Sequence, residues 1–479
     1  MKKKIYLKNV LCTSAVLLFM ASSLKAEPLS IDGFLDEVQK QHQGYEASQK
    51  GVEAGQSKST EGELALSYSL FSTLQYSNDK RPSNFAFVVG DRAAVSTYSL
   101  GVSKLTSFGL NASLSYNVNY FYFHGANSAF LVNSQYYQTN PQLDLTLSLW
   151  RNSFGRQTRA MVDATNAKNL STSYAESYRS KLILSDAEAL YWRASLVKDL
   201  VKVEKVNLDR ALEIRDWNKR RVSLNLTDKV DLLQADANLK MREMSYESAV
   251  DEEKTTLRDF NTMRGIAADD ISEELQSITV EQILALPLPE RKGTRDDVRA
   301  LKEAARAAAA NARLSKDKNA PSLDLFSTLT VNGRDPAFDT SFKQSWGGLY
   351  PYTVVGIKFV APLDLGNIKR VNSGYEAEKI SAEYTYERKR FEADRDWNDL
   401  TKRVEDTKKR LQIANEIEDL QFKKFTYEQN RQHRGQTTTY QVLTFEQDYA
   451  TAQYNRIKLQ DDVLRLIAQM KTFIGKEEL

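Results

Sequence analysis

Two rhythms of apolar residues divide this chain, and their order recurs. In the first, Leu110, Ala112, Leu114, Tyr116, Val118, Tyr120 and Tyr122 alternate with Asn111, Ser113, Ser115, Asn117 and Asn119. Period two gives a strand one apolar and one small-polar face. The same alternation runs through Leu64, Leu66, Tyr68, Leu70, Leu74 and Tyr76, through Tyr98, Leu100 and Val102, and through Leu143, Leu145, Leu147 and Leu149. It returns in Leu323, Leu325, Leu329 and Val331 and in Val355, Ile357 and Phe359. The pattern predicts strands at 64–77, 97–105, 110–122 and 142–150, and two more within 322–361.

The second rhythm is helical. Segments 157–221 and 371–430 contain no proline, and at ~1.5 Å per residue, roughly 60 residues make a rod of about 90 Å. In the last helix, Val442, Phe445, Tyr449, Ala452, Leu459, Val463, Ile467, Met470 and Ile474 follow three–four spacing. That stripe is a coiled-coil seam, and the charged residues around it form solvated faces. Segments 225–239 and 435–452 each carry a polar turn and then open an apolar-striped helix. Those helices close on Met263-Arg264-Gly265 and Phe473-Ile474-Gly475.

The chain therefore divides into a leader (1–26), a first repeat (27–265), a connector (266–292) and a second repeat (293–479). The first repeat holds a helix, strands at about 64–150 and a helical hairpin at 157–264. The second holds the alanine-rich helix 295–314, strands at about 322–361 and a hairpin at 371–475. A duplicated unit this large implies two similar halves side by side, not a catalytic cleft. The polar stretches 78–92, 123–141 and 332–350 are expected as surface loops, with tips at Arg81-Pro82-Ser83-Asn84 and Gly333-Arg334-Asp335-Pro336. Turns at 150–155 and 361–366 leave the strands, and Pro362 marks the end of pairing.

The N-terminus changes the setting. Lys2, Lys3 and Lys4 precede a short apolar run from Val10 to Met20, and Ala26 closes the segment. This is the pattern of a secretory signal, with a run too short to cross a bilayer as a retained helix. Cys12, the one cysteine, would leave with it, so no disulfide is expected despite export. Five of the 66 basic residues lie in 1–26, leaving 61 against 63 acids, a balance of −2. Nothing in that balance suggests a nucleic acid partner. No later stretch is long and apolar enough for a spanning helix, so a membrane could be crossed only by a closed β-barrel. The small-polar strand faces suit a wet lumen, and the leucine and tyrosine faces suit lipid with an aromatic girdle. The other reading of these strands is a soluble sandwich with one face on a dry core.

No catalytic chemistry emerges. His42, His124 and His433 are far apart, and no HExxH, clustered Cys/His or EF-hand spacing occurs. There is no phosphate-binding loop, so no cofactor or metal is expected and energy must come from a partner. Adjacent acids such as Asp251-Glu252-Glu253 belong to helical charge patterns, and His433 reads as an exposed residue or a partner contact.

Three segments then carry a resemblance: RDDVRALKEAARAAAANARLSKDKNAPSLDL from Arg295, VVGIKFVAPLDLGNIKR from Val354, and RGQTTTYQVLTFEQD from Arg434. In this order, with the duplication and the leader, the chain resembles the outer-membrane factors, the TolC-like outer-membrane efflux proteins, over essentially its whole mature length. The resemblance implies a mainly α fold with a membrane β-barrel part: a homotrimer sharing one barrel, continuous with a long α-helical tunnel in the periplasm. It implies a passive exit duct in the outer membrane, serving tripartite efflux or type I secretion. A periplasmic adaptor and an inner-membrane transporter of the RND or ABC type would be its partners. The tunnel tip would comprise Asp228, Lys229, Asp231, Arg434, Gln436, Thr437, Gln441 and Thr444, holding the aperture or meeting the adaptor. Gln441 and Thr444 stand where family members carry acids around the closed aperture. Thr437 stands where they carry a basic residue, whose acidic partner would match Asp231. Closure is therefore expected to rely on packing and neutral hydrogen bonds, with weak block by multivalent cations. The family pattern has two strands per repeat, whereas the first repeat here offers four. Either the barrel is larger or the hairpin around 106–109 folds over its rim. The competing class is a periplasmic coiled-coil adaptor or scaffold without a pore.

Overall fold

The computed structural model describes residues 28–82 and 84–475. The expected leader 1–26 with Cys12, Ser83 of one expected loop tip and the last residues of the second repeat, 476–479, lie outside them. Helices α1 (Ile31–Gln41) and α2 (Gln43–Ser57) meet at His42, whose Nδ1 accepts the Tyr45 amide at 3.0 Å and caps α2. A 3-10 stretch, Lys58–Leu66, follows, so Leu64 and Leu66 are not in the first strand as expected. Contact with the 68-residue helix α4 (Arg156–Ser223) overrides the alternation there. The Gly62 amide donates to Asn166 Oδ1 at 2.9 Å. Three glycines make the approach possible: a Cβ on Gly51, Gly55 or Gly62 would lie 2.7–2.8 Å from Glu176, Ser173 or Val162 of α4.

Strands β1 (Tyr68–Asp79), β2 (Arg92–Leu105), β3 (Leu110–His124) and β4 (Gln135–Ser148) run antiparallel in sequence order, with the short α3 (Ala86–Val89) between β1 and β2. Beyond β4 come β5 (Ser322–Val331) and β7 (Pro351–Val360), while β6 (Gly333–Asp335) pairs with the far end of β4. The hairpin around 106–109 lies in the sheet, not over a rim. Thr106 Oγ1 donates to the Leu110 carbonyl and accepts its amide, at 2.9 and 3.0 Å, and Gly109 takes φ 88°. Two aromatic rings cover strand glycines, Phe71 over Gly101 and Phe326 over Gly356, each within 2.5 Å of where a Cβ would stand.

Two expected loops are largely ordered elements. Segment 123–141 supplies the first half of β4, which starts at Gln135 instead of 142. Pro141 is tolerated mid-strand because β4 changes neighbour there, from Thr139↔Gly333 to Gln142↔Thr330. Segment 332–350 contains β6 and helix α8 (Phe338–Trp346), so the expected tip at Gly333-Arg334-Asp335-Pro336 is partly a paired strand. Ser341 and Ser345, on the inner side of α8, are fully buried. Thr139 Oγ1 bonds Ser341 Oγ at 3.0 Å, and Tyr116 OH bonds Ser345 Oγ at 2.9 Å.

Helix α5 (Lys229–Met263) returns from α4, and α10 (Thr439–Met470) returns from the 69-residue α9 (Leu365–His433). The short α6 (Val280–Ala285), opened by a Thr279/Gln282 capping box, lies in the connector before α7 (Asp296–Lys318). Near the sheet, four helices stand abreast in the order α2–α4–α7–α9; farther away the order is α5–α4–α10–α9. The buried alanines Ala305, Ala307, Ala308, Ala310 and Ala312 let α7 sit closely in that layer. The largest core gathers where the two tiers meet: Phe34 stacks on Phe260 with centroids 4.1 Å apart, and Tyr191 OH donates to the Leu29 carbonyl at 2.5 Å. Along α10, Val442, Ala452, Val463, Ile467 and Met470 are buried and Phe445, Tyr449 and Leu459 half-buried; Ile474 falls beyond the helix and is exposed.

Candidate functional site at the helical tip

The residues expected at a tunnel tip lie at the ends of the long helices remote from the sheet, in two turns built alike. In the first, Arg221 Nη2 donates to the Leu226 carbonyl at 3.1 Å; in the second, Arg431 Nη2 donates to the Gln436 carbonyl at 2.8 Å. The Leu226 and Gln436 amides return to the Arg221 and Arg431 carbonyls, both at 2.9 Å. The left-handed position is Asn225 (φ 56°) in one turn and Gly435 (φ 72°) in the other, residue types suited to it. Asp228 caps α5 by accepting the Val230 amide at 3.0 Å, and Thr438 caps α10 by accepting the Gln441 amide at 3.3 Å.

The eight expected residues distribute between the turns. Asp228 and Lys229 are exposed and Asp231 is half-buried, accepting from the Thr227 hydroxyl. Arg434, Gln436 and Gln441 are exposed. Thr437 Oγ1 donates to Glu428 and meets Gln441 Oε1 at 2.6 Å, while the half-buried Thr444 donates to the Tyr440 carbonyl at 2.9 Å. Within one chain Asp231 and Thr437 are not joined; each bonds inside its own turn. The turns are coupled instead by Thr439 Oγ1 donating to Asn218 Oδ1 at 2.7 Å, both buried. His433 is exposed, edge-on to Trp217 with centroids 6.1 Å apart. Among the described residues no three His, Cys, Asp or Glu side chains are placed to hold a metal ion.

Solved outer-membrane channels share this fold. No protein-family profile and no curated protein matches the sequence, but solved structures match its shape. The outer-membrane channel OprN superposes with a TM-score of 0.67 at 16% identity, over 93% of this chain and 90% of its own. The VceC outer membrane protein of Vibrio cholerae gives 0.65 at 14%, over 94% of this chain and 97% of its own. The CmeC outer membrane channel of Campylobacter jejuni gives 0.67 at 14%, over 94% and 86%.

Sequence reasoning missed several residues that build the two turns. Arg221, Arg431, Asn225 and Glu428 shape the turns, and the signal was available: Arg221 with Thr227 and Arg431 with Thr437 repeat one Arg–Thr spacing. Deeper in, a buried polar cluster joins the two hairpins. Arg242 of α5 donates to Glu446 Oε2 of α10 from Nη2 at 2.9 Å and Nε at 3.2 Å, with Glu446 fully buried. Glu446 Oε1 has no hydrogen-bond partner. Burial holds the Glu204 carboxyl of α4 above its ordinary range, against the pull of Asn207 and Arg242. Arg210 lies over Tyr449, 4.8 Å from the ring centroid, and burial lowers its pKa.

Proposed function

We propose that three copies of this chain form a passive exit duct: a shared β-barrel in the outer membrane continued by a periplasmic helical tunnel, not an enzyme. The observation that carries the reading is the sheet. Both of its outer strands have an unpaired edge, and its apolar face, covered by α8 only around Tyr116 and Thr139, stands bare on those outer strands. Leu70 and Leu74 of β1 are 73% and 76% exposed, and Val355 and Ile357 of β7 are 67% and 68% exposed. In water such edges invite aggregation. Pairing β1 of one copy with β7 of the next closes the sheet, and lipid covers the apolar face.

The helices favour the same ring. At one side of the lower layer, α9 exposes Ile413, Ile417, Leu420 and Tyr427; at the other, α5 exposes Val230, Leu233, Met241 and Met244. Different surfaces at the two sides make a head-to-tail contact, which closes into a ring when the rotation permits. The paired hairpins also support reading 27–265 and 293–479 as two copies of one unit, joined by 266–292.

The tip residues Asp228, Lys229, Asp231, Arg434, Gln436, Thr437, Gln441 and Thr444 would hold the aperture or receive a periplasmic adaptor, with an RND or ABC transporter of the inner membrane as the energy source. Small shifts of one packed hairpin past its neighbours would widen the tip. Fractionation tests the reading: an outer-membrane, detergent-resistant trimer that conducts ions in planar bilayers is expected, whereas a soluble monomer in the periplasm would exclude it. With Gln441 and Thr444 in place of an acid ring, micromolar trivalent cation should leave the single-channel current largely unblocked; deep block at that level would refute the neutral-aperture assignment.

A further inference from the structure

We propose that the assembled barrel has eighteen strands, six from each of three copies, and that its bore equals that of the helical tunnel, so the outer end never limits the size of the cargo. The proposal rests on the three-copy duct above and adds the width of its exit. Six long strands per copy, β1, β2, β3, β4, β5 and β7, form one continuous antiparallel path.

The β2–β3 hairpin belongs to that wall. Its register is unbroken on both sides, from Tyr68↔Lys104 to Asp79↔Ala93 against β1 and from Leu110↔Leu147 to Tyr122↔Gln135 against β4. Side chains on the polar face cross it as a ladder: Thr97 Oγ1 to Asn119 Oδ1 at 2.8 Å, Ser99 Oγ to Asn117 Oδ1 at 2.6 Å, and Asn117 Nδ2 to Gln142 Oε1 at 3.2 Å. On the reverse face, Leu100, Val102 and Leu114 extend the exposed apolar surface. Moreover, β1 touches the sheet only through β2, so a hairpin folded away would strand β1.

The circumferences agree. Strands about 4.8 Å apart and tilted about 40° make an eighteen-strand ring of roughly 113 Å, or about 36 Å across between backbones. Four helices abreast in each of three copies, roughly 8–10 Å apart, make a tunnel of about 96–120 Å. Twelve strands at the same tilt would reach only about 75 Å and would need a steeper tilt or a taper. The polar face carries mostly short side chains, such as Ser99, Ser113, Ser115 and Thr328, so the lumen stays more than wide enough for a polypeptide helix of about 10–12 Å. Size selection then falls to the tip.

Cryo-electron microscopy of the full-length protein in lipid nanodiscs tests this by counting strands in cross-section. Eighteen strands in a ring about 36 Å across are expected. A ring of twelve, with β2–β3 outside the wall, would overturn the width while leaving the three-copy duct intact; absence of a membrane-embedded ring would overturn both. Thr73→Cys combined with Ser99→Cys, on facing positions of β1 and β2, gives an independent readout. Oxidation should crosslink the membrane-embedded protein, and failure to crosslink in a folded trimer would count against the hairpin's place in the wall.

Discussion

Arg264 shows how a single guanidinium fastens three segments. At the end of α5 it forms ion pairs with Glu37 of α1 at 2.6 Å and with Glu273 of the connector at 2.8 Å. The hydrogen bond from Arg264 is the main reason the Glu273 carboxyl is held down at about 2. A carboxylate whose folded pKa is depressed stabilises the fold above its unfolded pKa, and that contribution is lost as pH falls from about 4.5 toward 2. Glu273→Gln should therefore lower the melting temperature at pH 7, with the difference from the parent vanishing toward pH 2. Glu204 has the opposite sign, because burial raises its pKa: its folded form disfavours ionisation, so stability falls as pH rises through that shifted range, and Glu204→Gln should gain on the parent from pH 5 to pH 8. Arg242→Ala would leave the fully buried Glu446 without its cation, a change that typically costs about 3–5 kcal/mol; a fall of several degrees in melting temperature is expected, with Glu446→Gln in the same background restoring part of it. At this scale the sequence was partly legible. The family resemblance directed attention to Thr437 and Gln441; the Arg221 and Arg431 braces left only the repeated Arg–Thr spacing as a trace, because they bond to carbonyls, which carry no residue identity.

At the scale of elements, long helices and strand pairs were legible because each repeats one rhythm over many residues. The misses share a cause. The start of β4, Gln135-Tyr136-Tyr137-Gln138-Thr139-Asn140, alternates Gln and Asn with aromatics and Thr, and so read as a polar loop; in the sheet, Asn140 and Gln138 share the face of Asn117 and Asn119. Helix α8 was missed because its inward residues are serines, buried only where β6 and β4 meet them. Leu64 and Leu66 kept the strand rhythm but yielded to contact with α4. The exposed stripe on α9 is the element with the clearest consequence. Ile417→Asp with Leu420→Asp puts charges into the seam that a neighbouring copy is proposed to cover. The variant should fold but no longer run as a trimer in analytical ultracentrifugation in detergent; an unaltered trimer would show that the ring closes elsewhere.

Across the whole molecule, the duplication and the four-strand first half were legible in the sequence, whereas the position of the extra hairpin was not: a short link permits either a fold-over or an inserted pair, and only register decides. The glycine track along α2 and the 3-10 stretch adds a mechanical asymmetry. Where Gly51, Gly55 and Gly62 press against α4, backbones lie too close for either partner to slide without first drawing apart. The far hairpins have no such track and are joined by polar contacts such as Asn218 with Thr439 and Arg242 with Glu446. Slippage is therefore hardest where α2 lies against α4 near the sheet, and the spreading proposed for the tip would be confined to the opposite end, where the helices meet through polar side chains that can exchange partners.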